Sequence, residues 1–409
     1  MLNCLQLARL FRITIGIAIL CQSYGAQAQE TLEAILQRVP AAPPGVPVPP
    51  LPAGPLHYKT AEGQDIEVTI LARGLNHPYG FVMLPDGTML VSERDKGRLR
   101  VIRNGSLDPA PVTGLPEIKG GLWSGLLDIA LHPGFAENHL VYITYDKPVD
   151  QQSVALAVMR GAWDGKALSN AQDIFVTNPG VGGSSRLLFD HAGLLYVSIY
   201  GSGEEAQKLS DLRGKVLRLT DDGKVPQDNP FIRTAGARPE IFTYGHRTIQ
   251  GLVQHPVTGA IWALEMGPDG GDEVNILKPG ANYGWPLVSL GRDYAGPWQS
   301  KKFQGEGIED PVVYWMPAIS VSGMTFYSGD RLKKWQGDLL VGGLRMGEIP
   351  GTGHLERIRF NANGEEIRRE QLLTDLRLRI RGAYQGVDGY LYLPVDEDNG
   401  AVLRIGPSN

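Results

Sequence analysis

The sequence predicts an all-β protein, and within that class a six-bladed β-propeller. Three observations carry the prediction. A tight turn followed by a β-branched or aromatic run recurs six times, at spacings of several tens of residues. Gly (52) and Pro (29) are spread along the 409 residues, which suits many short strands and tight turns. An early strand-like segment, Asp65–Leu75, is available to pair with the last one, "AVLRIG", and so close a ring. Closure removes the exposed edges that an open sheet of this length would present. A pair of β-sandwiches is the alternative, but it would not explain a phrase repeated to the C-terminus.

Taken in order, the chain opens with "MLNCLQLARLFRITIGIAILCQSYGAQAQE". Arg9 and Arg12 precede an apolar run from Ile13 to Cys21, and Ala26-Gln27-Ala28 is a small-x-small cleavage pattern. This is a secretory signal peptide over residues 1–28, because the run is too short to cross a bilayer. Leu20 before Cys21 argues against a lipid anchor. Both cysteines, Cys4 and Cys21, fall inside the leader, so the exported chain is expected to be stable without disulfides. Losing Arg9 and Arg12 moves the formal charge from −5 to −7. A mildly acidic chain without a basic run has no electrostatic footprint for nucleic acid, and no later apolar run is long enough to span a membrane.

Residues 29–57 form a Pro-rich arm containing "RVPAAPPGVPVPPLPAGP". That composition favours extended polyproline conformation and supplies no core, so it is a tether or a surface-hugging arm. A proline-motif ligand for a partner domain is the less favoured alternative. The propeller domain is expected over 58–409. Its six phrases begin near Leu84, His132, Phe189, His255, Leu332 and Gly386.

The densest chemistry lies between Thr243 and Pro286. Asp269, Asp272 and Glu273 sit among glycines and Pro268, where carbonyls and carboxylates crowd together. A hard cation such as calcium takes about six to eight oxygens, many from backbone. The spacing is not that of an EF-hand, so a solvated acidic turn fits equally well. Arg247, after His246, is by itself more consistent with an ion pair between blades than with a ligand contact.

Several phrases together are more specific. "GLLDIALHPGFAENHLVYITY", "LRGKVLRLTDDGKVPQDNPF", "YGHRTIQGL", "GPDGGDEVN", "GANYGWP" and "RIRGAYQGVDGYLYL" resemble the soluble glucose/sorbosone dehydrogenase family, in order, from about Gly74 to Pro407. The nearer branch is the bacterial periplasmic aldose sugar dehydrogenases. The resemblance implies a six-bladed propeller that uses pyrroloquinoline quinone (PQQ) and calcium to oxidise sugars. It places Arg247, Arg345, Arg379 and Arg381 around the cofactor, whose carboxylates suit planar guanidinium donors. Arg345 stands where the family has a lysine, and Thr248 where it has an asparagine. The carbonyls of Gly267 and Pro268 match the catalytic calcium site. Glu273, the carbonyl of Tyr283 and Asp293 match a structural one.

The resemblance also exposes a loss. Aligned through Arg186, Leu187, Phe189 and Asp190, the family's catalytic histidine falls on Gly182 of "GVGGSSRLLFD". That histidine is the general base, and glycine has no side chain to replace it. Trp123 and Met266 also depart from the family pattern. Tyr200, Glu204 and His77 are candidate substitute bases, each better explained by packing, solvation and bracing of a turn, respectively. Two readings of function therefore stand: a periplasmic sugar dehydrogenase with an unconventional base, and a sugar- or cofactor-binding propeller without turnover. Trp123 would serve either reading as a sugar-stacking surface, or would simply fill space. A propeller that only binds a protein at its rim is a weaker third, since it would need neither the arginines nor the calcium phrases. No haem attachment motif (C-x-x-C-H) is present, so an electron acceptor would be a separate molecule.

Overall fold

A computed structural model of the chain describes residues 43–121, 124–201, 203–294 and 296–408. The predicted leader, the first part of the arm and Trp123 lie outside these residues.

The chain folds into six antiparallel sheets arranged in sequence order around one axis. The innermost strands are Pro78–Met83, Leu126–Leu131, Leu187–Phe189, Ile249–Gln254, Val321–Phe326 and Tyr384–Gln385, and neighbours pack against each other around the axis. Each predicted turn phrase leads into the second strand of a blade, from Met89–Glu93 in the first to Leu391–Pro394 in the sixth. The sixth sheet is completed from the other end of the chain. Ile66–Leu75 pairs with Gly400–Pro407, as Val68 opposite Ile405 and Ile70 opposite Leu403 show. Leu56–Tyr58 adds a fifth strand outside it, so the last residues assigned to the arm belong to the sheet.

Side-chain alternation explains why the sheets stand face to face. Along Leu195–Ile199, Leu195, Val197 and Ile199 point into the seam with the second blade, while Tyr196 points into the seam with the fourth. The same division gives six apolar seams, one between each pair of neighbouring blades. In the arm, Val46 donates its N–H to the Pro350 carbonyl at 2.8 Å, and Arg377 Nη1 donates to Pro47 at 3.0 Å. The arm thus lies against the fifth and sixth blades. Among the described residues no helix is long and apolar enough to cross a membrane.

Candidate cofactor and substrate site at the channel mouth

One hydrogen bond, repeated in every blade, builds the site. A residue at the end of each second strand donates its N–H to a carbonyl just before the innermost strand. The pairs are Arg94 to His77 (3.3 Å), Asp146 to Gly125 (2.9 Å), Ser198 to Arg186 (3.0 Å), Met266 to Thr248 (2.8 Å), Arg345 to Ile319 (3.2 Å) and Asp396 to Arg379 (2.8 Å). Residues far apart in sequence are thereby set on one face of the ring, around the axis. Most of the residues singled out by sequence are members of these pairs or their neighbours.

Arg247 sits on the fourth blade. Its Nη1 donates to the carbonyls of Met266 (3.0 Å) and Gly267 (2.7 Å), and its guanidinium carbon lies 5.4 Å from the centre of the Trp285 ring. It forms no ion pair with a carboxylate among the described residues. The other arginines differ in this respect. Arg379 Nη2 donates to Asp396 at 2.9 Å, Arg381 is bonded to the same carboxylate, and Arg345 is paired with Glu348. His77 completes the sixth-blade group, holding Asp396 at 2.9 Å and Asp398 at 3.1 Å. It braces two carboxylates rather than standing free as a base, and its bond to Asp396 raises its pKa. Burial works against the charge of Asp396, yet Arg381, His77 and Arg379 together hold its carboxyl well below the usual range.

Tyr79 lies at the centre of the cationic group. Arg186, Arg381 and Arg94 stand 4.1, 5.2 and 5.7 Å from its ring centre, on the negative face of the π-system. Its hydroxyl meets Ser184 Oγ at 2.7 Å, and Gln250 Nε2 donates to that same oxygen at 2.8 Å. Several buried polar atoms here have no partner among the described residues: Thr248 Oγ1, Gln250 Oε1, Ser185 Oγ, Arg186 Nε and Arg381 Nε. Such atoms are costly to bury unpaired, and they cluster where a polar, anionic ligand would supply partners. Arg186 and Asp128, an ion pair at 3.2 Å, also line a cavity of about 380 Å³. Phe81, Leu131, Phe189, Met324 and their neighbours line it.

The metal candidates divide. Glu273 and Tyr283 line one cleft with Glu265, Glu309 and Asp310, whereas Asp293 lies outside that cleft on an exposed hairpin. Burial, then Glu265, push the Glu273 carboxyl up to about 8, and Asp272 and Asp310 add to the rise. Crowded oxygen donors without a cation are a donor set for a hard ion. Asp272 is spoken for: it accepts from Gly267 N (2.9 Å), Ile319 N (2.9 Å) and Val321 N (3.2 Å), bracketing the fourth blade to the fifth. The Gly267 carbonyl already accepts from Arg247, and Pro268 packs against Gly291. Among the described residues no three His, Cys, Asp or Glu side chains form a metal-ligating group.

At Gly182 the structure shows what fills the lost side chain's place. A Cβ added there would lie 2.6 Å from Asp146 Oδ1 and 2.5 Å from Val154 Cγ2. The Asp146 carboxylate is fully buried, accepting from Gly183 N at 2.9 Å and from Gly125 N at 3.0 Å. Burial pushes its carboxyl up to about 6, against these two bonds and one from Ser124. Sequence reasoning missed Asp146, because "YITYDK" reads as an ordinary strand end and only strand pairing brings it to position 182. Tyr200 is half-buried, next to Gly201, whose N–H donates to the Arg247 carbonyl at 2.7 Å; Glu204 is exposed on a short helical turn.

Comparison with known proteins gives consistent results. The family model described as Glucose / Sorbosone dehydrogenase matches residues 75–404. The aldose sugar dehydrogenase YliI of Escherichia coli is 36% identical over 356 residues, spanning 84% of this chain and 94% of that protein. The crystal structure of the soluble Escherichia coli aldose sugar dehydrogenase in its apo form superposes with a TM-score of 0.78 at 36% identity, covering 84% of this chain and all of that one (100%). The PQQ-bound aldose sugar dehydrogenase of Streptomyces coelicolor superposes with a TM-score of 0.66 at 27% identity, over 84% of this chain and 99% of that chain.

Proposed function

The chain belongs to the glucose/sorbosone dehydrogenase family, and on that premise we propose that it is a secreted, periplasmic PQQ- and calcium-dependent aldose dehydrogenase. The observation that carries this reading is the channel mouth: the Arg247 guanidinium on the fourth blade without a carboxylate partner, next in sequence to the unpartnered Thr248 Oγ1, and the unpartnered Arg381 Nε in the sixth-blade group. These donors fit a planar polycarboxylate such as PQQ, which supplies a two-electron quinone acceptor when bound. Arg247, Thr248 and Arg381 would hold its carboxylates, with Arg345 and Arg379 adding field. The Glu273 carboxylate and the Tyr283 carbonyl would be oxygen donors for a calcium ion, whereas Glu265 beside them is engaged by His246 and the Arg247 N–H. At the Gly267 carbonyl a second calcium would share its oxygen with the Arg247 guanidinium.

Oxidising an aldose at C1 removes a hydride and a hydroxyl proton, and the proton needs an acceptor on this chain. Position 182 offers none, and the titratable group standing in its place is Asp146. A carboxyl near 6 is ionised at neutral pH and suited to accept a proton.

The complete burial of Asp146 favours a second reading, a cofactor- or sugar-binding propeller without turnover. Titrating the mature protein with PQQ and Ca²⁺, followed by a panel of aldoses, separates the two. Saturable binding with sugar-dependent quinone reduction establishes the dehydrogenase. Binding without reduction selects the second reading, and absence of binding removes PQQ from both.

A further inference from the structure

Six tryptophans fall among the described residues, and five of them, Trp163, Trp262, Trp285, Trp315 and Trp335, are less than 9% exposed. Trp298 is 41% exposed. It lies on the excursion between Asp272–Ile276 and Val313–Trp315, with Phe303 (49% exposed) and Tyr294 (46% exposed). Trp298 lies over the Arg292 guanidinium at 4.6 Å and meets the edge of Phe303 at 5.6 Å. Burying an aromatic ring is favourable, so leaving three of them in water on one excursion calls for a ligand.

The position of these rings is fixed. Arg292 exchanges both backbone hydrogen bonds with Asp269 (2.9 and 3.1 Å), and Gln299 N donates to Gly291 O at 3.0 Å. Gly291 packs so closely on the 267–270 turn that an added Cβ would lie 2.3 Å from the Gly270 carbonyl and 2.7 Å from Pro268 Cγ. The aromatic hairpin is therefore fastened to the turn that follows Gly267. At its inner end Tyr294 OH stands 3.5 Å from Arg247 Nη2, so the ledge runs outward from the channel mouth.

We propose that Trp298, with Phe303 and Tyr294, forms a binding ledge for the outer rings of an oligosaccharide whose reducing end enters the channel mouth. The inference rests on the aldose reading of the site and extends it to longer substrates. A pyranose presents a flat C–H face that stacks on an indole and a rim of hydroxyls that need donors; Gln299, Ser300 and Lys302 adjoin the ring in sequence. Two or three side chains of about 150–250 Å² each are too little for a stable protein partner, which needs about 800 Å² per side.

The test uses alditols, which have no aldehyde carbon to oxidise: glucitol, maltitol and maltotriitol, titrated calorimetrically into the full mature protein. Maltotriitol is expected to bind at least tenfold tighter than glucitol. Trp298→Ala should erase that gain, and Trp298→Phe should keep part of it, with circular dichroism unchanged in both. Equal affinity for all three alditols, or a gain that survives Trp298→Ala, overturns the ledge. Aldose oxidation is measured separately: a chain-length gain without oxidation keeps the ledge and removes the dehydrogenase reading, while oxidation without the gain does the reverse.

Discussion

Asp146 in the second blade and Asp396 in the sixth occupy the same place in the fold. Each lies near the end of the second strand of its blade, Asp146 inside Leu140–Pro148 and Asp396 just past Leu391–Pro394, donates its N–H to a carbonyl before the innermost strand, and is almost completely buried. Their surroundings are opposite. Asp396 meets Arg379, Arg381 and His77, and its charge is held far into acid. Asp146 meets only backbone N–H groups and Ser124, and its carboxyl is pushed up to about 6. The backbone provides a slot for an acid; the side chains of neighbouring loops decide whether that acid is a fixed counter-ion or a group that titrates near neutrality.

Removing the counter-ion is the severest way to break the comparison. Asp396→Ala leaves Arg379 and Arg381 beside each other without their anion, at a cost of about 3–5 kcal/mol. The melting temperature is expected to drop by at least ~5 °C. A smaller effect separates the two acids by pH. A carboxyl with a raised folded pKa binds its proton more tightly folded than unfolded, so its contribution falls as pH rises from about 4 to about 6. The loss is on the order of 2–3 kcal/mol. Chemical denaturation across that window should show the decline in the wild type and a flatter profile in Asp146→Asn. Asp396 gives no such decline, because its carboxyl is ionised throughout.

Restoring the family's side chain sharpens the contrast further. Gly182→His must displace Asp146 Oδ1 and Val154 Cγ2, so it is expected to destabilise by about 1–3 kcal/mol. Pairing it with Asp146→Ser should recover much of that loss, and the non-additivity is read from a double-mutant cycle. Asp146→Ser alone is expected to lose aldose turnover, since Asp146 is the proposed proton acceptor, and the double variant to regain part of it. The mildest change is Tyr79→Phe, which deletes one hydroxyl bond to Ser184 and keeps the ring under its arginines. About 1 kcal/mol of stability is expected to go, with no change in the pH profile set by Asp146.

The fold was legible in the chain because the turn–strand phrase repeats and because Asp65–Leu75 matches the strand the last blade lacks. Arg247, Thr248, Arg379 and Arg381 stand out in the chain for a different reason: they sit in phrases that resemble a family. The groups that decide the electrostatics were not. Asp396 lies within "PVDEDNG", which reads as a polar loop, and Asp146 within a strand end. The chain from Tyr79 through Ser184 to Gln250 joins three blades, and no local pattern announces it. Asp293 matched the family in register yet lies outside the cleft of Glu273 and Tyr283, on the hairpin that carries Tyr294 and Trp298. Periodicity reports strands and turns; what a buried side chain faces depends on which loops the ring brings round.

The strand that closes the ring carries one further consequence. Ile66–Leu75 is made long before its partner strand Gly400–Pro407, so the sixth sheet cannot zip until that partner has been synthesised. Contacts of such long sequence separation form late and slowly. A ring whose clasp joins two such distant strands stays open for as long as the later one is missing. The clasp thus doubles as a timer: the ring locks only after Gly400–Pro407 has arrived.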